Sequence, residues 1–306
     1  MKYDVCVFGG CSLDMTFFMD NNGDYHSTPD LISPGGKGAN QAVAASRAGA
    51  NTTIITRLGM DDIGYNILDN FKKSNVNVSN VELVDGLNND AAYIYINGDD
   101  KDNEIKRVTG AIDSFTPDII DRYKDILLSS AIVLSQMKVP KEVSVRLINF
   151  CYENDIPIVV TPCRPKKLYI GDDGNLELID KITYITCNRE ECVVMFGTDD
   201  FEAVVSKYPR KVIITLGSDG LIYNNGNRTV HLPAPQSDIV VDTTGAGDTF
   251  AGNFAAFISQ GLDYEFAIDK AQYASGMKIR ESTAQKGMPY LDKLNEFYNA
   301  NKKNTN

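Results

Sequence analysis

Short apolar runs alternate with amphipathic stretches along most of the chain. Tyr3–Phe8 reads as a buried strand stopped by Gly9-Gly10, and Thr52–Thr56 as the next. Further strands are expected at Ala131–Ser135, Ile156–Thr161, Tyr184–Thr186 and Val212–Leu216. Between them the pattern predicts helices over about 37–48, 65–74, 117–128, 141–154, 189–196 and 199–207, with another over 263–282. Ile239-Val240-Val241 is a short β-like run. Behind it Phe250, Phe254, Phe257 and Ile258 recur with the period of a helix that buries one face. Strands alternating with helices predict a three-layer α/β/α fold with a mostly parallel central sheet. The runs at Met15–Met19, about 24–32, Ala91–Ile96 and Glu104–Val108 fall outside that rhythm and are paired as a small separate sheet. With no repeat or linker, residues 1–306 are expected to form a single domain, frayed after Asn299.

Composition narrows the class. A chain of 306 residues, 43% hydrophobic and 23% charged, is an ordinary globular protein. No apolar run is long enough to span a membrane, and the start is too soon broken by glycine to be a signal peptide, so a cytoplasmic location is expected. Six cysteines without a Cys-x-x-Cys pair, beside only two histidines, read as buried small apolar residues rather than a disulfide framework or zinc site. A formal charge of −11 argues against nucleic acid and anionic membranes as partners.

The candidate chemistry lies in Asp242-Thr243-Thr244-Gly245-Ala246-Gly247-Asp248. Glycines at a helix start let a ligand approach the backbone and leave N–H groups pointing at it, which suits a phosphate. A carboxylate beside an anion site repels the anion unless it has a task, and taking a proton from an attacking hydroxyl is the natural one. On this stretch alone Asp248 has a second, weaker reading as a first-turn acid facing the helix dipole. A second element, Gly35-Gly36-Lys37-Gly38-Ala39-Asn40-Gln41-Ala42, opens an alanine-rich helix and places Lys37 and Asn40 one turn apart on one face.

The two elements, in this order and separation, resemble the two signatures of the ribokinase-like (PfkB) sugar kinases. The first is closest to the ribokinase branch, and Val212–Gly220 resembles the family's nucleotide-contacting strand and turn. The resemblance spans nearly the whole chain and implies phosphoryl transfer from ATP to a hydroxyl of a small sugar, ribose or a relative. It gives Asp248 the role of base and the N–H groups of Gly245, Ala246 and Gly247 that of an anion hole. It puts Asp14, Gly36, Lys37 and Asn40 on the sugar. It puts Asn188, Thr215, Gly217, Ser218, Gly220 and Gln272 on the nucleotide. Glu191, with Asn188, stands where the family holds Mg²⁺ through water, and Asp242 and Thr244 stand where relatives ring K⁺. The small sheet, about 15–33 and 91–108, becomes a lid over the sugar that also pairs two subunits into a homodimer.

Three departures bear on the acceptor and the cations. Lys138 stands where ribokinases carry a sugar-binding glutamate. If it faces the pocket, a nucleoside, sugar acid or sugar phosphate becomes an alternative acceptor. Arg164 adds a second cation in Thr161–Pro165, and Arg280–Gly287 lacks the usual start of the potassium loop. A silent sugar or nucleotide sensor would need a damaged base or anion hole, and both are intact. A dinucleotide oxidoreductase would need Gly-x-Gly-x-x-Gly after the first strand, where Gly9-Gly10-Cys11-Ser12 stands.

Overall fold

A computed structural model describes residues 2–20, 22–97, 102–163, 177–237 and 239–303. The first strand shows why the fold is layered. In β1 (Tyr3–Phe8), Val5 and Val7 enter one hydrophobic core and Cys6 and Phe8 the other. A strand buried on both faces belongs inside a helix-covered sheet.

That sheet continues through β5 (Thr52–Gly59) to β6 (Val81–Val84) on one side of β1. On the other side it runs through β9 (Ser130–Gln136), β10 (Ile158–Thr161) and β11 (Tyr184–Asn188) to β12 (Val212–Thr215), all parallel. An antiparallel hairpin, β13 (Leu221–Asn224) and β14 (Thr229–Leu232), closes the far edge. One face carries α1 (Lys37–Arg47), α2 (Asp62–Lys73), α9 (Ala246–Ser259), α10 (Tyr264–Lys278) and α11 (Leu291–Lys303). The other carries α3 (Asp118–Arg122), α4 (Lys124–Leu128), α5 (Lys141–Glu153), α6 (Glu177–Lys181), α7 (Arg189–Phe196) and α8 (Phe201–Lys207). Strand order reverses between β1 and β9, so a crevice is expected at their carboxyl ends.

The second sheet joins β2 (Ser12–Met19), β3 (Tyr25–His26), β4 (Ile32–Gly35), β7 (Asp90–Asn97) and β8 (Asp102–Val108). It is the separate small sheet expected from the pattern, but it starts earlier. Asp14 itself lies in β2, in register with Ser33 on one side and Ala92 on the other.

Several expectations shift. Ile239, Val240 and Val241 form no strand and are more than half exposed. The helix expected over 117–128 breaks at Tyr123 into α3 and α4. The helix expected to reach 282 stops at Lys278, while α11 carries helix past Asn299 to Lys303. The cysteines are buried apart from the half-buried Cys163. Among the described residues, no helix is long and apolar enough to cross a membrane.

Candidate functional site

A cavity of about 180 Å³ opens at the carboxyl ends of the parallel strands. Thr161 of β10, Thr186, Cys187 and Asn188 of β11, and Thr215 of β12 line it from the sheet. Gly245, Gly247, Asp248 and Phe250 line it from the start of α9, with Lys37 and Glu191 alongside. The base, anion-hole and magnesium candidates thus meet, and Lys37 joins them from near the start of the chain.

Glycine is required at two points of this frame. Gly245 caps α9 at φ 80°, and a Cβ there would lie 2.7 Å from the Ala284 carbonyl oxygen. Gly38 presses α1 onto the turn after β1, where a Cβ would sit 2.6 Å from the Gly10 carbonyl oxygen. At Gly247 a Cβ would meet nothing within 4 Å, so this residue keeps open the space in front of the helix N-terminus. Of the three N–H groups expected at the anion site, one already has a partner within the chain. Ala246 N–H donates to the Thr243 carbonyl, because the chain makes a tight turn there before α9 begins. That leaves the N–H groups of Gly245 and Gly247, the latter with no preceding turn to receive it.

Asp248 is buried, and two chains of amides converge on it. Asn40 Nδ2 donates to Oδ2 at 2.9 Å and Gln41 Nε2 to Oδ1 at 3.0 Å. Behind Asn40, Gln285 Nε2 donates to Asn40 Oδ1 at 2.9 Å, and Asn70 Nδ2 to Gln285 Oε1 at 2.8 Å. Behind Gln41, Gln136 Nε2 donates to Gln41 Oε1 at 2.6 Å. The relays run toward the carboxylate, and Gln41 Nε2 also donates to Thr161 Oγ1 at 3.0 Å. Burial nevertheless holds the Asp248 carboxyl above its ordinary range, opposed by the Lys37 charge and the two amide bonds. A carboxylate raised toward neutrality is suited to receive a proton.

Lys37 Nζ bonds Glu191 Oε1 at 2.8 Å. Burial alone would lower its affinity for a proton, but Asp248, Cys163 and Glu191 raise it overall. Glu191 and Asn188 form a capping box at the start of α7, Glu191 N–H donating to Asn188 Oδ1 and Asn188 N–H to Glu191 Oε2. The cap they form is also a cavity wall. The buried Thr186 hydroxyl lines the cavity with no hydrogen-bond partner.

On the acceptor side, Asp14 accepts from Ser12 Oγ at 3.0 Å, and its carboxylate fills the place where a Gly35 Cβ would stand. Gly36, at φ 84°, lets α1 begin against the backbone of Cys11 and Ser12. Lys138, half-buried just past β9, places its charge near both Asp14 and Asp90. Asp90 is buried in β7, with Oδ2 accepting from Ile112 N–H and Oδ1 unpartnered. Burial raises both carboxyls, and Lys138 opposes the rise. Arg107 lies in the same cross-strand row as Asp14, with only Ala92 between them.

Other candidates lie further out. Gly217, Ser218 and Gly220 form the turn after β12, where Gly220 must be glycine because a Cβ would sit 2.0 Å from the Leu232 carbonyl oxygen. Gln272 is buried on α10 and donates to the Leu232 carbonyl, away from the cavity wall. Arg164 lies outside the described residues. Gln41, Gln136, Gln285, Thr186 and Asp90 were not identified from sequence. Gln41 alone carried a signal, as a long polar residue on an alanine-rich helix face.

Comparison with known proteins shows the family. A family model described as pfkB family carbohydrate kinase matches residues 2–291. A ribokinase of Bacillus subtilis is 34% identical, covering 96% of this chain and 99% of the relative. A ribokinase of Lactococcus lactis is 36% identical over 95% of each. The solved structure of an Arabidopsis thaliana ribokinase complexed with ribose and ATP superposes with a TM-score of 0.86, at 23% identity, over 97% of this chain and 99% of that one.

Proposed function

We propose, from the premise that this chain belongs to the pfkB family of carbohydrate kinases, that it phosphorylates a hydroxyl of ribose or a closely related neutral sugar with ATP. The observation that carries the reading is the buried Asp248 carboxylate, held by directed amides at the mouth of an open helix N-terminus. In the reaction the acceptor hydroxyl oxygen attacks the γ-phosphorus and the bond to the ADP oxygen breaks. The hydroxyl proton passes to Asp248 and ADP leaves. The N–H groups of Gly245 and Gly247 stabilise charge on the transferring group, where electrostatic catalysis acts. Lys37, which the resemblance puts on the sugar, lines the cavity beside Gly247 and Glu191; keeping its proton, it serves as a fixed cation between sugar and phosphates.

Magnesium supplies charge neutralisation on the nucleotide phosphates when bound. Glu191 and Asn188 fit an outer role toward it. They line the cavity, and both Glu191 oxygens already accept bonds, so contact through water suits them better than direct ligation. Thr215 of β12 and the Gly217–Gly220 turn support the nucleotide beyond the phosphates.

Charge balance favours a neutral acceptor. Lys138 and Arg107 are set against Asp14 and Asp90, so an anionic group would meet two carboxylates as well as two cations. The small sheet acts as a lid that excludes water from the sugar. Its exposed Phe18, Tyr25 and Ile32 suit a partner subunit, giving a homodimer that light scattering would register. The test of the activity is ADP release with ATP and Mg²⁺ over pentoses, hexoses, sugar acids, sugar phosphates and nucleosides. Turnover with ribose or another neutral sugar supports the reading. Turnover confined to anionic acceptors or nucleosides overturns the acceptor assignment, and silence throughout overturns the kinase.

A further inference from the structure

The residues around Asp242 and Thr244 do not fit the potassium ion that the family resemblance implies there. Lys278 is the last residue of α10, and its side chain has no exposed surface. Its Nζ donates to the Asp242 carbonyl oxygen at 2.7 Å and lies 3.9 Å from Asp242 Oδ2. A potassium ion drawing on these two oxygens would be crowded against the like charge of a fully buried ammonium, where repulsion is less screened than in open water. We infer that the Lys278 ammonium is the resident monovalent cation of this loop, so that the enzyme carries a covalently attached substitute for potassium and turns over without it.

The surroundings are built for this. The Ile279 carbonyl, one residue on, accepts the N–H groups of both Val241 and Asp242. Asp242 Oδ1 then accepts Thr244 N–H at 2.8 Å. The end of α10 therefore fixes Val241–Thr244, and the next residue is Gly245 of the anion hole. From the other side the chain closes tightly on the lysine: a Cβ at Gly287 would lie 2.4 Å from the Lys278 carbonyl oxygen. An ammonium is close to potassium in size and charge, and it draws carbonyl oxygens inward in the same way. Its tether makes it permanent. Lys278 touches no reacting atom in this arrangement. It is a positioning residue that acts through Asp242 on the loop ahead of the anion hole.

The experiment compares the native protein and Lys278→Ala in potassium, sodium and tetramethylammonium chloride at equal ionic strength. It reads turnover and thermal melting. The native enzyme is expected to turn over equally in all three salts and to melt alike in potassium and sodium. Lys278→Ala, which vacates the place of the ammonium, is expected to lose roughly 10-fold or more of turnover in sodium. Potassium should restore much of that loss and raise the variant's melting temperature by a few degrees over sodium, because an ion that binds only the folded state stabilises it. A native rate that climbs with potassium overturns the inference, as does a folded Lys278→Ala that is as active as native in every salt. Should Lys278→Ala fail to fold in any salt, Lys278→Met retains the volume without the charge, and the native salt comparison decides independently. The inference rests on the kinase reading only for its kinetic arm. A native melting temperature raised specifically by potassium counts against it even if no acceptor is ever turned over.

Discussion

Gln41→Met tests whether the converging amides set the proton affinity of Asp248. Methionine has nearly the same length and flexibility, so the core around α1 stays filled. What is lost is the N–H at 3.0 Å from Asp248 Oδ1, the bond to Thr161 Oγ1, and the acceptor for Gln136. A hydrogen bond to a charged group is worth ~1.5–3 kcal/mol. This one favours the ionised carboxylate, so losing it moves the acid limb of kcat/KM upward by roughly one to two pH units. The sign follows from the base. Burial already holds its carboxyl above the ordinary range, and protonation abolishes its function, so activity falls as pH drops through that raised value. Plateau kcat at alkaline pH should fall only a few-fold, because the base remains and Asn40 still holds Oδ2. Stability should drop as well, since Gln136 Nε2 is left buried without an acceptor, at ~1–3 kcal/mol. The assay is a pH–rate profile from pH 5 to 9 with acceptor and nucleotide below saturation, beside a melting curve. An acid limb that does not move while the protein stays folded refutes the reasoning: either Asp248 is not the titrating group, or its amides do not bias it.

Other outcomes follow from the same geometry. Asp248→Asn should lower turnover by roughly 10²-fold or more while nucleotide affinity, read by calorimetry, changes little. Gly247→Ala places a methyl in space that is now open, so melting should be unchanged while kcat falls and the KM for ATP rises; a native-like enzyme would remove Gly247 from the phosphate site. Asp90→Asn should raise the melting temperature near pH 8 and weaken the sugar acceptor's KM. Its buried carboxyl binds a proton more readily folded than unfolded, so the charge costs stability above that raised value, and the gain should shrink as the pH falls through it. An equal gain at every pH would show that the charge is not the cause.

The parts legible in the sequence are those in which one short segment carries the whole signal. The alternation Val5, Cys6, Val7, Phe8 announces a strand buried on both sides, and the glycines near 36 and 245 announce backbone approach. Parts that depend on distant segments were not legible. Gln41, Gln136 and Gln285 matter because three separated elements bring their amides into line, and no local pattern marks a glutamine for that. The hairpin β13–β14 was missed because its strands are four residues each and carry no distinctive alternation. Ile239–Val241 misled in the opposite direction: its composition is that of a strand, but the segment only connects β14 to the anion loop and gains no partner strand. Lys278 carried no signal in the sequence, where it sits inside a stretch expected to be helical to 282. Its burial depends on the distant Asp242 loop, whose carbonyl receives the ammonium.

Gly252 on α9 meets α1 so closely that a Cβ there would lie 2.6 Å from both Ala44 Cβ and the Gln41 carbonyl oxygen. Together with Gly38 against Gly10, this brings α1 to backbone distance from α9 and from the turn after β1, beside the Asn40, Gln41 and Asp248 cluster. On the proposed reading, the spacing between acceptor and phosphate is therefore a gauge cut largely in backbone thickness and hard to alter by single substitutions. A descendant that took a longer or shorter acceptor would have to leave this gauge alone and change the small sheet above it. Drift in specificity is expected to concentrate in β2, β7 and β8, while the three-layer stack beneath stays fixed.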